Sequence, residues 1–379
     1  MVLRLAIKGG STEATSLRML HYKKATDTFS KKTGIDVEIV MGADNDLAYR
    51  TQIKNGELKA DVELIDSLWI PELAESLEPL DSFVKGWEDW AQYHERAKGL
   101  GEYGGHIYGI PHEMDVRGIF YNKDMVKEEW SPKSLSEILD KSEDLKAPLQ
   151  LYYGTKEGET AMCECVLPIL YAFGGEIYNG KWNIKGKAML MTLRYYYEAF
   201  ISRSLCSRIS SAEARELFAS GKIGILFDGM WCWDEFWGKE GKFPVEDREK
   251  KIRFVSVPGI NGPVNLFAGW VFSVASASQE AKELLKELCS EEITERICTS
   301  TAHVAPRKDV IESSAYSKDP FLVECTRMLD NCFFRPKAKE YSLISYQILR
   351  ATEMVVDGMR PRKALRRLSK SVNELLREP

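Results

Sequence analysis

The first 66 residues alternate between strand and helix patterns, and a glycine or polar loop follows each strand. The apolar run Val2–Ile7 leads into a glycine loop, then into a helix pattern that reaches Lys32, and then into a second strand over residues 35–40. This order is one βαβ unit, which requires a parallel sheet covered by helices. Ligands of open parallel sheets bind past the carboxyl ends of the strands. We therefore expect three residues of the first loop to reach a ligand: Gly10, Ser11 and Glu13.

The next two strand ends also carry polar or aromatic residues. The second strand is followed by Asp44 and Asn45, which either bind a ligand or cap the next helix. A third strand, residues 61–66, ends in Asp66 and is followed by Trp69 and Pro71. Proline favours the first turn of a helix. Trp69 therefore faces the same ligand site or packs beneath that helix.

The stretch 105–125 predicts two strands with polar residues between them. The first strand ends at Pro111, which has no N–H for a ladder and suits a point where the chain leaves one sheet for another. The second spans Val116–Tyr121. Charges between buried strands are costly unless they face water or a ligand. The stretch therefore predicts a crossing between two lobes that places Glu113, Asp115 and Arg117 on a cleft floor; a hairpin with a solvated tip is the alternative.

Composition limits the classes of protein that fit. A chain of 379 residues predicts two domains, and 44% hydrophobic with 29% charged residues is ordinary for a globular protein. A net charge of −5 argues against a nucleic-acid partner, and the basic run 360–370 predicts the solvated face of a terminal helix. No apolar run reaches the ~18 residues that span a bilayer. The eight cysteines have no zinc spacing, so we expect no metal or cofactor, and their even number permits disulfides.

One motif of the sequence resembles that of a known protein family. Residues Ile107–Pro111, then nine residues, then Tyr121–Asp124 resemble the crossover of family 1 extracellular solute-binding proteins, the maltose-binding-protein-like receptors of ABC sugar importers. Gly174–Gly175, the helix and turn 211–222 and Arg335–Pro336 extend the resemblance over nearly the whole chain. It implies an α/β, two-lobed, type II periplasmic-binding-protein-like fold. Each lobe would be a mixed sheet flanked by helices, with the ligand cleft between the lobes.

The resemblance also implies lobe boundaries. The N-terminal lobe would comprise residues 1–111 and 266–310, and the C-terminal lobe residues 112–262 and 313–379. Hinge crossings are expected near 110–113, 258–265 and 309–315.

Several site residues follow from the same resemblance. Asp115 matches an acid that hydrogen-bonds sugar hydroxyls, Asp66 and Trp69 match an acid and a ring that face the cleft, and Trp231 matches a ring that stacks on a sugar. Where the family often has Gly-Gly, this chain has Ala268 and Gly269. The full expected ligand-binding set is Gly10, Ser11, Glu13, Asp44, Asn45, Asp66, Trp69, Asp115, Trp231, Gly269, Trp270 and Tyr341.

The function implied is that of a receptor that captures a sugar, a di- or oligosaccharide, by hinge closure and delivers it to membrane permease subunits. Such a protein would be a monomer, extracellular or periplasmic, with a membrane-anchored precursor whose export signal is absent here. One alternative is a glycan-active enzyme that uses Asp66 and Asp115 as paired carboxylates. The sequence shows no nucleophile elbow, no metal cluster and no histidine with a triad partner that would support this enzyme alternative. The other alternative is a receptor of the same fold for a non-sugar solute. The candidate site residues are aromatic and acidic with few basic groups, which favours a neutral sugar instead.

Overall fold

The computed structural model describes residues 2–145 and 148–377. The strands within these ranges are β1 Val2–Ile7, β2 Asp36–Met41, β3 Val62–Asp66, β4 Glu102–Tyr103, β5 His106–Ile107, β6 Ile110–Asn122, β7 Leu149–Gln150, β8 Ile225–Gly229, β9 Ile252–Val255, β10 Val257–Gly259, β11 Gly262–Val274 and β12 Cys332–Phe334.

The α-helices are α1 Glu13–Thr33, α2 Asp46–Lys54, α3 Ile70–Leu73, α4 Asp81–Lys85, α5 Glu95–Gly101, α6 Lys123–Val126, α7 Leu135–Asp144, α8 Gly154–Glu157, α9 Glu159–Ala161, α10 Leu167–Ala172, α11 Lys187–Tyr197, α12 Ser211–Ala219, α13 Cys232–Glu235, α14 Arg248–Lys251, α15 Gln279–Leu288, α16 Glu291–Ser300, α17 Lys308–Glu312, α18 Pro320–Arg327, α19 Tyr341–Val356 and α20 Pro361–Leu375. Two π-helical turns cover Met162–Val166 and Glu198–Ser202. Within the described ranges, no helix combines the length and the apolar character needed to cross a membrane.

Ten of the described strands form one mixed sheet in the order β2-β1-β3-β11-β6-β8-β7, with β9 on β6 and with β10 and β12 on β11, while β4 and β5 pair with each other in a separate small sheet. The predicted βαβ unit is confirmed, because β1 pairs in parallel with β2 and β3. The Thr12 side chain caps the start of α1, and Gly34 ends it in the left-handed conformation with φ 73°. The 13-residue strands β6 and β11 pair antiparallel in the middle of the sheet and join its two halves.

A short strand, β5, does precede Pro111, but the predicted break between Pro111 and Val116 is wrong, and so is the alternative of a hairpin with a solvated tip there. Residues Ile110–Asn122 form one continuous strand whose side chains are buried up to Tyr121. Pro111 lies beside a bulge, because Trp270 of β11 faces Glu113 while Val271 faces Pro111. At a bulge the ladder is already interrupted, so the missing N–H of Pro111 is tolerated. The polar residues of the strand find partners on other elements, as described below.

Two hydrophobic cores flank the middle of the sheet. One packs α1, α15 and α16 against β1, β3 and the end of β11. The larger one surrounds β6 and β8 and includes α10, α11, α19 and α20. The larger core also includes Tyr49, Ile53, Trp69 and Ile70 from the first part of the chain, so the two cores do not by themselves divide the lobes, and the lobe boundaries stay a prediction. All eight cysteines are free thiols, and seven of them are buried.

Candidate functional site

A cavity of about 300 Å³ lies past the carboxyl ends of β1 and β3, beside the middle of β6. Residues of both cores contribute to its wall, as a cleft between two halves of a molecule requires. Its cationic side chains are Lys8, Arg18, Arg117, Arg215 and Arg335. Its carboxyl side chains are Asp46, Asp66, Glu113, Asp115, Glu159, Glu164 and Glu235. Its aromatic side chains are Tyr22, Trp231, Phe236 and Trp270.

The first polar cluster joins α1 to β6. Arg18 Nε donates to Glu113 Oε2 at 2.9 Å, and Arg18 Nη2 lies 3.4 Å from Nε2 of His303. His112, on the same strand as Glu113, has its Nε2 2.9 Å from the Tyr22 hydroxyl. The glutamate side chain is only 3% exposed, so its charge depends on this guanidinium rather than on water.

The electrostatics of this cluster follow from burial and from the Arg18 charge. Burial by itself would raise the pKa of Glu113, but Arg18, His303 and His112 lower it to about 2. Burial lowers the pKa of both His112 and His303 to about 4. At neutral pH the cluster therefore holds one carboxylate, one guanidinium and two uncharged imidazoles.

The second cluster lies on β6 and on the π-helical turn that follows α9. The Arg117 guanidinium contacts the Asp115 carboxylate, and Arg117 Nε lies 3.4 Å from Glu164 Oε2. The guanidinium carbon lies 4.7 Å from the centroid of the Trp231 ring, a cation–π distance. Several buried polar atoms of the trio have no properly oriented hydrogen-bond partner: Asp115 Oδ1, Arg117 Nε, Arg117 Nη1 and Glu164 Oε2. Such atoms are costly unless a ligand or water binds them.

Burial raises the pKa of Glu164, and Arg117 opposes that increase. The π-helical turn Met162–Val166 directs both Cys163 and Glu164 toward the cavity. Single π-turns within helices often occur at functional sites. This side of the cavity therefore offers hydrogen-bond donors and acceptors without a large excess of charge.

Two further guanidinium–carboxylate pairs complete the wall. Arg215 donates from Nε and Nη2 to the two oxygens of the buried Asp228, at 2.8 and 2.9 Å, and Tyr152 donates to the same carboxylate at 2.6 Å. Arg335 donates to Asp66, and the Tyr341 hydroxyl donates to Glu159 at 2.6 Å. Paired in this way, the buried charges keep their orientation when the cavity is empty.

Four of the sequence-predicted site residues line the cavity together: Asp66, Asp115, Trp231 and Trp270. Trp270 is half-buried and meets Lys8, whose Nζ lies 5.8 Å from the ring centroid. Trp69 lies below it, fully buried, in a T-shaped contact of 5.5 Å with Trp270. The buried Tyr341 reaches the wall only through Glu159.

The remaining predicted residues lie outside the cavity wall. Asn45 caps α2 by accepting from the N–H groups of Leu47 and Ala48. Gly269 is buried, and a Cβ there would lie 2.5 Å from the Glu113 carbonyl oxygen, so glycine is needed for close strand packing. The wall is instead formed by near neighbours of the predicted loop residues, namely Gly9, Thr15 and Asp46. The predicted residues without a place in the wall are Gly10, Ser11, Glu13, Asp44, Asn45, Trp69, Gly269 and Tyr341.

The expectation of few basic groups is wrong for this cavity. Four arginines come to it from α1, β6, α12 and the segment after β12, far apart in sequence. No local motif marks them, because each lies on a different element and its partner carboxylate is usually distant in the chain. Glu113 and Arg117 were visible as costly charges in a buried strand, whereas Glu159, Cys163 and Glu164 had no signal.

Taken together, the cavity can bind a ligand rich in hydroxyl groups. Carboxylates accept hydroxyl protons, guanidinium groups donate to hydroxyl oxygens, and indole rings cover apolar faces. A strongly charged ligand of either sign would meet a repelling charge of the wall beside each attracting one.

Comparison with known proteins places the chain among binding proteins. The sequence profile of the family described as bacterial extracellular solute-binding protein matches residues 24–323. The maltotriose-binding protein of Pyrococcus abyssi (strain GE5 / Orsay) is 28% identical over 204 residues, covering 52% of this chain and 43% of that protein. The galactooligosaccharide-binding protein of Bacillus subtilis (strain 168) is 22% identical over 242 residues, covering 58% and 52%. The chain thus spans about half the length of these curated relatives.

Solved structures match over nearly the full length. Maltose-bound MalE3 of T. maritima has a TM-score of 0.83 at 20% identity and covers 99% of both chains. The maltotriose-bound maltotriose binding protein of Thermus thermophilus has a TM-score of 0.77 at 16% identity, covering 99% of this chain and 100% of that one. At these identities the likeness concerns the fold. It confirms the predicted α/β, two-lobed, type II periplasmic-binding-protein-like fold.

Proposed function

Since the chain belongs to the family of bacterial extracellular solute-binding proteins, we propose that it is the substrate-binding receptor of an ABC importer for a sugar. Its partners are then membrane permease subunits. It acts as a monomer in the extracellular space or the periplasm, and its native precursor is membrane-anchored. No catalytic step is assigned to it.

The observation that carries this proposal is the composition of the 300 Å³ cavity. Its guanidinium–carboxylate pairs alternate donors with acceptors, and its indoles provide apolar faces beside them. Sugars combine many hydroxyls with flat C–H faces, so both parts of the wall have a use. The buried polar atoms of Asp115, Arg117 and Glu164, which are ion-paired with one another without good hydrogen-bond geometry, are the proposed hydroxyl partners, and Trp231 and Trp270 are the proposed rings.

Closure of two lobes around the ligand is part of the proposal. Polar contacts join segments that belong to different proposed lobes: Ser342 donates to Glu72 at 2.7 Å and accepts from Arg50 at 2.8 Å, and Lys339 donates to Glu75 at 2.7 Å. These contacts would separate when the cleft opens, and they favour the closed arrangement when a ligand fills it.

A binding test with a turnover control addresses this function. A sugar at a hundred times its Kd adds about 2.7 kcal/mol to the free energy of unfolding, which a thermal melt detects. The sugar recovered afterwards should be chemically intact by mass spectrometry. Hydrolysis of the sugar would favour the glycan-active enzyme, and stabilisation by non-sugar solutes alone would favour a different receptor.

A further inference from the structure

A second groove of about 780 Å³ adjoins the binding cavity, and Arg335 lines both. Arg335 lies just after β12, and its guanidinium donates across to Asp66 at the end of β3. Its side chain is only 5% exposed although it borders two open spaces. The Arg335–Asp66 pair therefore forms a wall between the cavity and the groove.

Both residues of the pair make further contacts that fix their positions. Asp66 also accepts from the N–H of Leu68 at 2.9 Å, which fixes the orientation of its carboxylate. Arg335 Nη1 lies 3.8 Å from the Cys163 thiol. Burial disfavours the charge on Arg335, but Asp66 and other neighbours raise its pKa well above the ordinary value, so the guanidinium stays charged.

The groove beyond the wall carries aromatic rings. Tyr171 stacks on Phe333 with ring centroids 4.9 Å apart, and Phe333 is 44% exposed. Rings of this kind could cover further sugar faces. Arg335 lines both spaces and stands between these rings and the cavity.

The cavity itself is small. Its volume of about 300 Å³ lies at the lower end of the range of about 300–1,000 Å³ that is typical of ligand pockets. We propose that the ligand is a sugar of one or two rings and that Arg335 is the residue that limits its length. This inference rests on the proposed sugar-binding function and deepens it.

The experiment measures how Kd depends on chain length. Calorimetric titration uses glucose, maltose, maltotriose and maltotetraose, and in parallel galactose and β-1,4-galactooligosaccharides of two to four rings. For the wild type, the tightest binding is expected with one or two rings, and the trisaccharide of the same series should bind at least about tenfold more weakly, equivalent to about 1.4 kcal/mol.

Variants test the role of Arg335 separately. R335A should open the wall, so that the trisaccharide binds with nearly the same Kd as the disaccharide of the same series. R335K keeps a charged but shorter side chain and should lower the ratio of trisaccharide Kd to disaccharide Kd less than R335A does. This variant provides the test if R335A does not fold. The matched control is R203A, which removes a guanidinium paired with Asp140, Glu143 and Glu198 away from the cavity and should leave the ratio unchanged.

The outcomes are distinct. Equal wild-type affinity for disaccharide and trisaccharide overturns the length proposal while leaving sugar binding intact. Folded R335A and R335K proteins with the wild-type ratio overturn the role of Arg335, since a merely structural residue changes the melting temperature and not the ratio. Absence of binding by sugars of every length overturns the proposed function, and the length proposal with it.

Discussion

Replacement of Glu113 by glutamine tests whether the Arg18 cluster stabilises the fold as its geometry implies. The ordinary pKa of 4.5 falls to about 2 in the folded chain. At about 1.36 kcal/mol per pKa unit, the carboxylate form contributes about 3 kcal/mol to the free energy of unfolding at neutral pH. Removing one partner of a buried ion pair typically costs about 3–5 kcal/mol. Both arguments predict that E113Q loses about 3 kcal/mol.

The pH dependence has a definite sign. Since the folded-state pKa is depressed, the contribution is fully present above pH 4.5 and is lost as the pH falls toward 2. Urea unfolding of the ligand-free wild type and of E113Q should therefore give a constant difference from pH 7 to about 5 and a shrinking difference below it. His112 and His303 are uncharged in both folded proteins above about pH 5, so their acid destabilisation cancels in the comparison in that range. Below it Glu113 favours their protonation in the wild type alone, because its charge raises the pKa of both.

E292Q is the matched control, because Glu292 also pairs with two cations, Lys24 and Arg296, but at an exposed surface. Exposed pairs contribute about 0–1 kcal/mol, so this variant should unfold at nearly the wild-type urea concentration. A loss of less than about 1 kcal/mol in E113Q, or a difference that persists unchanged to pH 3, would refute the reasoning.

Three further predictions follow from the cavity, the lobes and the thiols. Trp231→Ala and Asp115→Asn should each weaken sugar binding about ten- to a hundredfold by calorimetry, from a loss of about 1.5–3 kcal/mol in contacts; unchanged Kd with a much lower melting temperature would make them packing residues. Saturating sugar should reduce the radius of gyration in solution scattering by closing the lobes, and an unchanged value counts against hinge closure. An aromatic disulfide reagent should modify at most Cys206 in the folded protein and all eight cysteines in denaturant, because burial raises the pKa of Cys206 well above its ordinary value and shields the other seven; fewer than eight in denaturant would mean that disulfides form.

Local patterns determined the elements and the fold class. The βαβ start of the chain, the glycine after α1 and the Asn45 cap depend on neighbouring residues, so periodicity and capping chemistry predict them. The motif around residues 107–124 then identified the two-lobed architecture. Strand-end residues Asp66 and Trp231 were also predictable as cavity residues, because ligands of such sheets bind past the strand ends. The same rule was wrong for the loop residues Gly10, Ser11, Glu13, Asp44 and Asn45, which lie outside the wall.

The sequence pattern did not predict that residues 110–122 form one buried strand. A proline and several charges in succession are usually incompatible with such a strand. Their partners, Arg18 and Glu164, come from helices distant in the chain, and the bulge opposite Pro111 comes from β11. Only tertiary contacts supply these compensations.

The sequence by itself therefore determined the βαβ start of the chain, the family and the edge of the sheet at which a ligand site would lie, but not the continuous strand β6. Tertiary structure decided which charges meet there: Arg18 with Glu113, Arg117 with Asp115 and Glu164, and Arg335 with Asp66. The physical reason is range. Helix and strand patterns repeat within a few residues, whereas the partner of a buried charge is chosen by the packing of elements that can be more than two hundred residues apart, as Arg335 and Asp66 are.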